Sequence, residues 1–260
     1  MSHDDDAADT KRPDDFVQSV GRALRILETV SESPALPVKA IARRCRLNLS
    51  TTYHLVRTLA YEGYLVRLPD GRYVVGNEVA RRFHDLMSSL DRPPASTDVL
   101  RALVDHTRLS AYLGTVSGAS VIVAECVEGP GSPYLEDFES GLEVAAHATA
   151  LGKALLASMP RRERHQFLRQ HEMCPFTART RVDPVELDHE LDAYPRDSVV
   201  VEHGEFRDEV ACAATLVPSA GAPRWALVVS VRGMSLPEGL ASELQLAARH
   251  LAASVPSHPA

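Results

Sequence analysis

The stretch from Val38 to Gly76 constrains the fold more than any other part of this chain, because two short helical patterns and a hairpin follow one another in it. Apolar positions recur at i and i+3 or i+4 in both helical patterns, which predicts two amphipathic helices. These positions are Ala40, Ile41 and the stem of Arg44 in the first pattern, and Leu55, Val56 and Leu59 in the second. A tight polar turn separates the patterns, so we expect a helix-turn-helix unit.

Both ends of the second helix carry terminal signals. Ser50 lies where the helix should begin, and its hydroxyl can cap the free backbone N–H groups. Gly63 lies where the helix should end, since glycine accepts positive φ. Strand-like runs at 64–68 and 72–75 then flank a Pro-Asp-Gly turn, which predicts a hairpin. Helix, turn, helix and hairpin together predict a winged helix-turn-helix, a fold that places its second helix in the DNA major groove.

Charge is distributed unevenly along the chain. Residues 16–82 carry 11 Lys and Arg against 5 Asp and Glu, whereas residues 98–260 carry 14 against 22. The net charge of −7 therefore combines a basic N-terminal part with an acidic C-terminal part. Because phosphate contacts are largely electrostatic, a basic segment suits a polyanion. We expect double-stranded DNA to bind the N-terminal part.

The second helix supplies the candidates for base contacts. If its apolar residues face the core, its polar residues face outward, and the alternative to DNA contact is a solvated helix face. The outward residues are Ser50, Thr51, Tyr53, His54 and Arg57. Further arginines, on the first helix, the turn and the wing, are candidates for positioning contacts to phosphates rather than for reading bases. These are Arg43, Arg44, Arg46, Arg67 and Arg72.

Two helices are expected around this unit, after an acidic tail at residues 1–15 that we predict to be disordered. A helix at 17–31 should bury the stripe Val20, Leu24, Leu27 and Val30. A helix from residue 77 to Leu90 carries the stripe Val79, Phe83, Leu86 and Leu90, which suggests packing against a partner chain. The Asp-Arg-Pro-Pro sequence at 91–94 then marks a linker.

The C-terminal part reads as an α+β domain. Helices are expected at 97–107, 147–159, 161–172, 183–194 and 236–254, with Val185 or Leu187 facing inward in the fourth. Strands are expected at 110–116, 120–127, 198–202, 210–217 and 225–231, and a further one at 134–138. Helices before and after a mostly antiparallel sheet of five or six strands give this class. We therefore divide the chain into a tail (1–15), a DNA-binding domain (16–76), a linker helix and linker (77–96) and a second domain (97–255).

Composition limits the location and the chemistry. With 45% hydrophobic and 24% charged residues the chain resembles an ordinary soluble protein, without a bilayer-spanning run or a signal pattern. We expect it to be cytoplasmic. Four widely spaced cysteines, Cys45, Cys126, Cys174 and Cys212, fit a reducing compartment better than disulfides or structural zinc. The histidines show no metal-like spacing, so we expect no metal and no cofactor.

The ordered set of motifs resembles the isocitrate-lyase-regulator (IclR) family of bacterial transcription factors, from Val17 to about Ala253. The opening helix 17–27 is similar to the family's first helix, and the segment 147–157 (HATALGKALLA) resembles its most distinctive motif in the second domain. Other matching positions are Ser50-Thr51, Thr58-Leu59, Gly63-Tyr64, residues 72–76, and Cys212-Ala213-Ala214 with Ser230 downstream. The chain departs from the family pattern at Arg46, usually glycine, at Thr52, usually apolar, and at His54, usually arginine.

The resemblance implies a GAF-like effector-binding domain, dimers through the DNA-binding half and often tetramers through the effector half. It also implies a small organic acid as the ligand. The positions carried over to this chain are Ala150, Leu151, Gly152, Glu202, Cys212, Ser230 and Arg232. The helix start at 150–152 offers backbone amides to an anion, and a guanidinium at Arg232 can hold a carboxylate through two hydrogen bonds. Each of these residues has a simpler explanation, as a core or strand residue satisfied by its neighbours, and Lys153 can equally be a structural ion-pair partner.

Three functions are therefore compatible with the sequence. The first is a ligand-responsive DNA-binding regulator, which the resemblance makes a repressor more often than an activator. The second is an activator or a ligand-independent DNA-binding regulator whose C-terminal domain serves only oligomerisation. The third is an enzyme fused to a DNA-binding head, with Cys212, His203 and Glu202 as nucleophile, base and orienting group. No nucleophile elbow or oxyanion hole surrounds Cys212 in the sequence, so we predict that the chain is not an enzyme.

Overall fold

The computed structural model describes residues 13, 15–118, 120–132, 143–195, 198–219 and 224–255. Two compact units divide the chain, Met1–Ser89 and Leu90–Ala260. Apart from residues 13 and 15, the acidic tail lies outside the described residues, as does the strand expected at 134–138. None of the helices in the described part is long and apolar enough to cross a membrane.

The first unit is a winged helix-turn-helix, as the sequence predicts. Its elements are α1 (Gln18–Ser31), β1 (Leu36–Pro37), α2 (Val38–Arg44), α3 (Leu49–Tyr61), β2 (Leu65–Arg67), β3 (Arg72–Val75) and α4 (Asn77–Ser89). The three strands form an antiparallel sheet in the order β1-β3-β2. Strand β1 was not expected, because two residues before a helix carry too short a pattern to be recognised.

The core of this unit lies among α1, α2, α3 and the small sheet. Ile26, Val30, Ile41, Val56 and Leu65 are almost completely buried in it. The prediction for α1 was wrong at its first turns. Val20 and Leu24 are each 55% exposed, because the core contacts the face of α1 that includes Ile26 and Val30. Periodicity identified the helix but not the side of it that the rest of the unit covers.

The start of α3 also differs from the expectation. Asn48, not Ser50, is the N-cap, since its Oδ1 accepts a hydrogen bond from the Thr51 N–H at 2.7 Å. Ser50 lies within the first turn and is exposed. The Asn side chain is as good a cap as Ser, so both residues satisfied the sequence signal. At the other end, Gly63 has φ of +79° and follows the helix as expected.

The second unit is an α+β domain. It contains α5 (Ser96–Thr107), β4 (Ser110–Ser117), β5 (Ser120–Val127), β6 (Glu143–Val144), α6 (Ala150–Ser158), α7 (Arg161–Leu168), α8 (Pro184–Asp192), β7 (Val200–His203), β8 (Val210–Leu216), β9 (Trp225–Arg232) and α9 (Leu240–Ser254). Six strands form one sheet in the order β6-β5-β4-β9-β8-β7, and all of its pairings are antiparallel.

This sheet separates two layers of helices. Helices α5 and α9 pack on one face, and the core on the other face includes α6, α7 and α8. Helix α9 buries Leu240, Leu244, Ala247 and Leu251, the stripe expected from the sequence. Helix α8 buries Leu187 and Leu191, whereas Val185 is 64% exposed. Of the two residues expected to face inward, Leu187 is therefore the correct one. Helix α6 begins at Ala150, later than expected, because Thr149 is its N-cap.

Candidate DNA-binding and effector-binding sites

Helix α3 has one face in the core and one face open to solvent. Val56 is fully buried and Leu59 nearly so, while Ser50, Tyr53, His54 and Arg57 are exposed and Thr51 is partly exposed. The structure therefore brings the five predicted residues of this helix to one accessible surface. Thr52 replaces the apolar residue usual in the family and is fully buried, and its hydroxyl donates a hydrogen bond to the Asn48 carbonyl at 2.9 Å.

The arginines near α3 differ in whether their side chains already form hydrogen bonds or ion pairs. In the described part of the chain, Arg43, Arg57 and Arg67 have no ion-pair partner. The Arg44 guanidinium donates to the Ser33 hydroxyl. On the wing, Arg72 Nε donates to Asp70 Oδ2 at 2.7 Å, although both side chains remain about half exposed. Arg72 would have to exchange this carboxylate for a phosphate before it could contact DNA.

The turn between α2 and α3 contains a residue in the left-handed conformation. Arg46 has φ of +53°, at the position where the family usually has glycine. The turn closes through hydrogen bonds from the Arg46 N–H to the Arg43 carbonyl and from the Leu47 N–H to the Ala42 carbonyl. It therefore keeps the glycine-type geometry although its residue is not glycine. Arg46 is exposed.

In the second unit, three of the predicted effector residues lie side by side. Glu202 on β7 pairs with Cys212 on β8, and Cys212 pairs with Ser230 on β9. Directly paired residues in antiparallel strands point to the same face of the sheet, so these side chains form one polar row. We call Glu202, Cys212 and Ser230 the polar row. All three are buried, and Cys212 Sγ donates to Ser230 Oγ at 3.6 Å.

Arg232 continues from the polar row at the end of β9. It is two residues beyond Ser230, so strand alternation directs it to the same face. Unlike the polar row it is exposed, and its guanidinium forms no hydrogen bond or ion pair with any residue that the structure describes. A solvent-exposed guanidinium can bind an anion such as a carboxylate through two hydrogen bonds.

The three residues predicted at the start of α6 are completely buried. The Gly152 N–H is already used, since it donates to the Oγ1 of the N-cap Thr149 at 3.1 Å. A Cβ at Gly152 would lie 2.3 Å from the Ala146 backbone, so this glycine is required for close packing. Leu151 packs on Gly114 of β4, where a Cβ would come within 2.5 Å of its side chain. Within this turn, only the Ala150 and Leu151 amides are not used by the cap.

A cluster of buried ion pairs is connected to the polar row through Glu202. Most of this cluster was not predicted from the sequence. Lys153 is fully buried, and its Nζ donates to Glu190 Oε1 at 2.9 Å and to Glu205 Oε1 at 2.6 Å. The Glu205 N–H in turn donates to Glu202 Oε2 at 2.8 Å. Lys153 is thus the ion-pair partner that was one of its two interpretations. Neither Glu190 nor Glu205 carries a local sequence signal, because their partner is distant in the chain.

The geometry required for cysteine catalysis is not formed. His203 pairs with Ala211, the residue next to Cys212, and therefore points to the opposite face of the sheet. An imidazole on that side cannot take a proton from Cys212. Among the described residues, no group of three His, Cys, Asp or Glu side chains is arranged to hold a metal ion.

A winged helix-turn-helix whose second helix exposes a polar face, followed by an α+β unit with an internal polar row, is typical of two-domain transcriptional regulators. Comparison with protein families gives two matches in agreement with this class. Residues 84–255 match the bacterial transcriptional regulator IclR C-terminal domain, and residues 19–69 match the IclR helix-turn-helix domain. The chain belongs to the IclR family of bacterial transcriptional regulators.

Individual relatives agree with the family assignment. The chain is 30% identical to the HTH-type transcriptional regulator XynR of Escherichia coli over 64% of its own length and 66% of the relative. It is 28% identical to the HTH-type transcriptional regulator BhcR of Paracoccus denitrificans, over 85% and 78% of the two chains. These relatives are named as transcriptional regulators, which supports the prediction that the chain is not an enzyme.

Solved structures share the fold. The Thermotoga maritima IclR structure has a TM-score of 0.71 at 23% identity and covers 91% of this chain and 96% of its own. An IclR homologue from Microbacterium hydrocarbonoxydans, solved in complex with 4-hydroxybenzoate, has a TM-score of 0.71 at 20% identity, covering 91% and 98%. At these identities the similarity concerns the fold alone.

Proposed function

We propose that this protein is a homo-oligomeric, sequence-specific DNA-binding regulator whose affinity for its operator is changed by a small organic acid. In this proposal residues 16–76 bind double-stranded DNA, residues 97–255 bind the effector and contribute to oligomerisation, and the segment 77–96 couples the two. The protein acts in the cytoplasm, without a membrane partner or cofactor. The observation that carries the proposal is the division of α3 into a buried face with Val56 and Leu59 and an exposed face with Tyr53, His54 and Arg57.

The two kinds of DNA contact are assigned to different residues. The side chains of α3 read base edges in the major groove, because that groove admits a helix and distinguishes all base pairs. Those residues are Ser50, Thr51, Tyr53, His54 and Arg57. The remaining arginines, Arg43, Arg44, Arg46, Arg67 and Arg72, position the protein on the phosphates. With His54 in place of the family's usual arginine, this position cannot form the bidentate arginine–guanine contact, so its operator preference differs from the usual one there.

The effector is assigned to the polar row and its surroundings. A carboxylate fits the exposed guanidinium of Arg232 and the amides at Ala150 and Leu151, while the hydroxyl of Ser230 and the thiol of Cys212 meet the rest of the molecule. Glu202 sets a limit on the ligand, since its buried carboxylate favours a hydrogen-bond donor nearby. The 4-hydroxybenzoate in the Microbacterium homologue, which has both a carboxylate and a hydroxyl group, is compatible with this assignment.

A ligand changes DNA affinity only if it binds two arrangements of the protein with different affinity. We assign the coupling to α4, because it immediately follows the wing and leads into the second unit. The direction of control follows from the resemblance to a family in which repression prevails, so we propose a repressor. The second candidate is an activator or a ligand-independent regulator, and it is favoured by the complete burial of Ala150, Leu151 and Gly152.

The experiment that tests the DNA-binding proposal is an affinity titration on the intergenic DNA upstream of the protein's own gene, repeated at several salt concentrations. We expect specific binding that weakens steeply with salt, as phosphate contacts require. Arg57→Ala should weaken specific binding by roughly tenfold and reduce discrimination between operator variants. Arg101→Ala, which removes an exposed arginine from α5 in the second unit, is the matched control. If the two variants bind alike, α3 is not the reading element.

The effector proposal is tested on the same DNA with a panel of small carboxylic acids. Binding of one acid should change operator affinity in the wild type, and Arg232→Ala should shift the acid concentration required to higher values while leaving DNA affinity without acid unchanged. If no acid changes DNA binding, the ligand-independent alternative holds. If an acid acts equally on the Arg232→Ala variant, its carboxylate is bound elsewhere.

A further inference from the structure

A second cleft in the C-terminal unit is separate from the proposed effector site. It has a volume of about 210 Å³ and lies between the segment that leads into α6, the end of α7 and the segment after α7. We call it the His147 cleft. None of the seven residues assigned to the effector lines it. An engineered apolar cavity of about 150 Å³ is enough to bind benzene, so this cleft can hold a small aromatic ring.

The walls of the cleft are apolar and largely aromatic. Phe167 stacks on His171 with ring centroids 4.6 Å apart, and Phe176 lies 5.8 Å from the His147 ring. Val121, Leu168 and Met173 add aliphatic surface to the lining. Flat rings in the lining offer stacked and edge-to-face contacts, which favour a planar aromatic ligand over an aliphatic one of the same volume.

One buried polar side chain, His147, can orient a ligand in the cleft through a hydrogen bond. His147 is 4% exposed, and its Nε2 lies 3.0 Å from the Cys174 carbonyl oxygen. A carbonyl oxygen only accepts hydrogen bonds, so Nε2 must carry a proton. Burial lowers the pKa of His147, which keeps the ring neutral at pH 7, and in the neutral ring Nδ1 is an acceptor. Nδ1 has no hydrogen-bond partner among the residues that the structure describes.

The surrounding charges disfavour an anion. Lys153, the nearby buried cation, is held by Glu190 and Glu205. Glu172 is the carboxylate that lines the cleft, and it repels a second carboxylate. A buried anion without a positive partner is strongly disfavoured. The cleft is therefore unsuited to the organic acids assigned to the polar row.

We propose that the His147 cleft binds a small uncharged aromatic molecule that carries one hydrogen-bond donor, of the phenol type, with its donor directed at His147 Nδ1. The site is additional to the carboxylate site, so the protein can bind two chemically different ligands. This proposal does not depend on DNA binding, and its test measures ligand binding to the free protein.

The test is calorimetric titration of the full-length protein with phenol, toluene and benzoate at neutral pH. Toluene has nearly the shape of phenol without its donor, and benzoate adds the negative charge. Burial of the toluene methyl group is itself favourable, so the hydrogen bond is measured as a change in the ratio of the two affinities. We expect the ratio of phenol affinity to toluene affinity to be about fivefold higher in the wild type than in His147→Phe, as one net hydrogen bond of about 1 kcal/mol requires. Benzoate should not displace phenol. The same ratio of phenol to toluene affinity in the wild type and in His147→Phe, or displacement of phenol by benzoate, would overturn the proposal.

Two variants locate the binding. His147→Phe keeps an aromatic ring and removes the acceptor, so the affinity for phenol should fall relative to the affinity for toluene. Because His147 is buried and its replacement can disturb folding, Met173→Trp provides a second route by filling the cleft from its half-buried edge. It should abolish phenol binding, while Met234→Trp, an exposed site outside the cleft, should not. Unchanged phenol binding in Met173→Trp would show that phenol binds elsewhere, and absence of phenol binding to the wild type up to millimolar concentration would exclude the site.

Discussion

At the scale of the residue, Arg46 shows how a local conformation persists against the preference of its amino acid. Its φ of +53° belongs to the left-handed region, which costs a residue with a Cβ roughly 1 kcal/mol. The sequence already marked Arg46 as a departure from the family pattern, which usually has glycine there. Two backbone hydrogen bonds and the packing of α2 against α3 hold the turn, so the surrounding structure compensates for the strain.

Substitutions at Arg46 separate the strain from the charge. Arg46→Gly and Arg46→Ala both remove the guanidinium, but only glycine relieves the strain. We expect Arg46→Gly to be more stable than Arg46→Ala by about 0.5 kcal/mol, since relief of strain outweighs the greater chain entropy of glycine. Urea denaturation of the free proteins measures this difference. Equal stability would mean that the turn relaxes, and unequal loss of DNA affinity would mean that Arg46 acts through more than its charge.

At the scale of the element, α7 and α8 are joined by a buried charge cluster. Arg164 is 2% exposed and its guanidinium lies 2.5 Å from both Asp188 and Asp192. Asp188, 3% exposed, also accepts from Arg161 at 2.7 Å and lies 3.0 Å from His165. Burial alone would raise the pKa of Asp188, but the hydrogen bonds from His165, Arg164 and Arg161 outweigh it and lower the pKa to about 2.

This cluster should make stability depend on acid pH. Because the folded-state pKa of Asp188 is below the ordinary value of 3.8, its contribution is complete above pH 3.8 and is lost as the pH falls towards 2. We expect Asp188→Asn to lower the free energy of unfolding by about 2 kcal/mol at pH 7. The difference from the wild type should shrink between pH 5 and pH 2. Asp105→Asn, at an exposed site on α5, is the control, and a difference independent of pH would contradict the ion-pair origin.

Elements differ in how far the sequence predicted them. Helix α9 and strands β4 and β5 were found within a few residues, since an uninterrupted period of 3.6 or 2 is a local property. The end residues were less predictable, as Asn48 and Thr149 show, because several residues near a helix start can serve as the cap. The face that an element buries was missed at Val20 and Leu24, where the pattern of the helix is compatible with more than one orientation.

At the scale of the whole molecule, the first unit exposes apolar side chains that it does not cover itself. Val20 and Leu24 on α1 are each 55% exposed, and Phe83 and Leu86 on α4 are 43% and 42% exposed. Large apolar groups in such number on two helices of a small unit favour a protein partner. A second copy of the chain is the partner that the proposed homo-oligomer requires.

Charged substitutions test this arrangement. We expect Leu24→Glu and Phe83→Glu each to weaken self-association at least about tenfold, because a carboxylate would be buried without a partner in the interface. Sedimentation equilibrium of the free protein measures the effect. Val185→Glu introduces the same charge at a 64% exposed position of the second unit and should leave association unchanged. An unaltered oligomeric state in both test variants would place the interface outside α1 and α4.

The amino-acid sequence by itself determined the class of each domain, the positions of most helices and strands, and the residues that α3 exposes. Those properties depend on periodicity and on turn residues, which act over a few positions of the chain. Only the tertiary structure decided that Lys153 is held by Glu190 and Glu205, that Gly152 is closed against Ala146, and that His147 faces an aromatic cleft. Each of these depends on contacts between residues brought together by sheet order and helix packing, which no local pattern specifies.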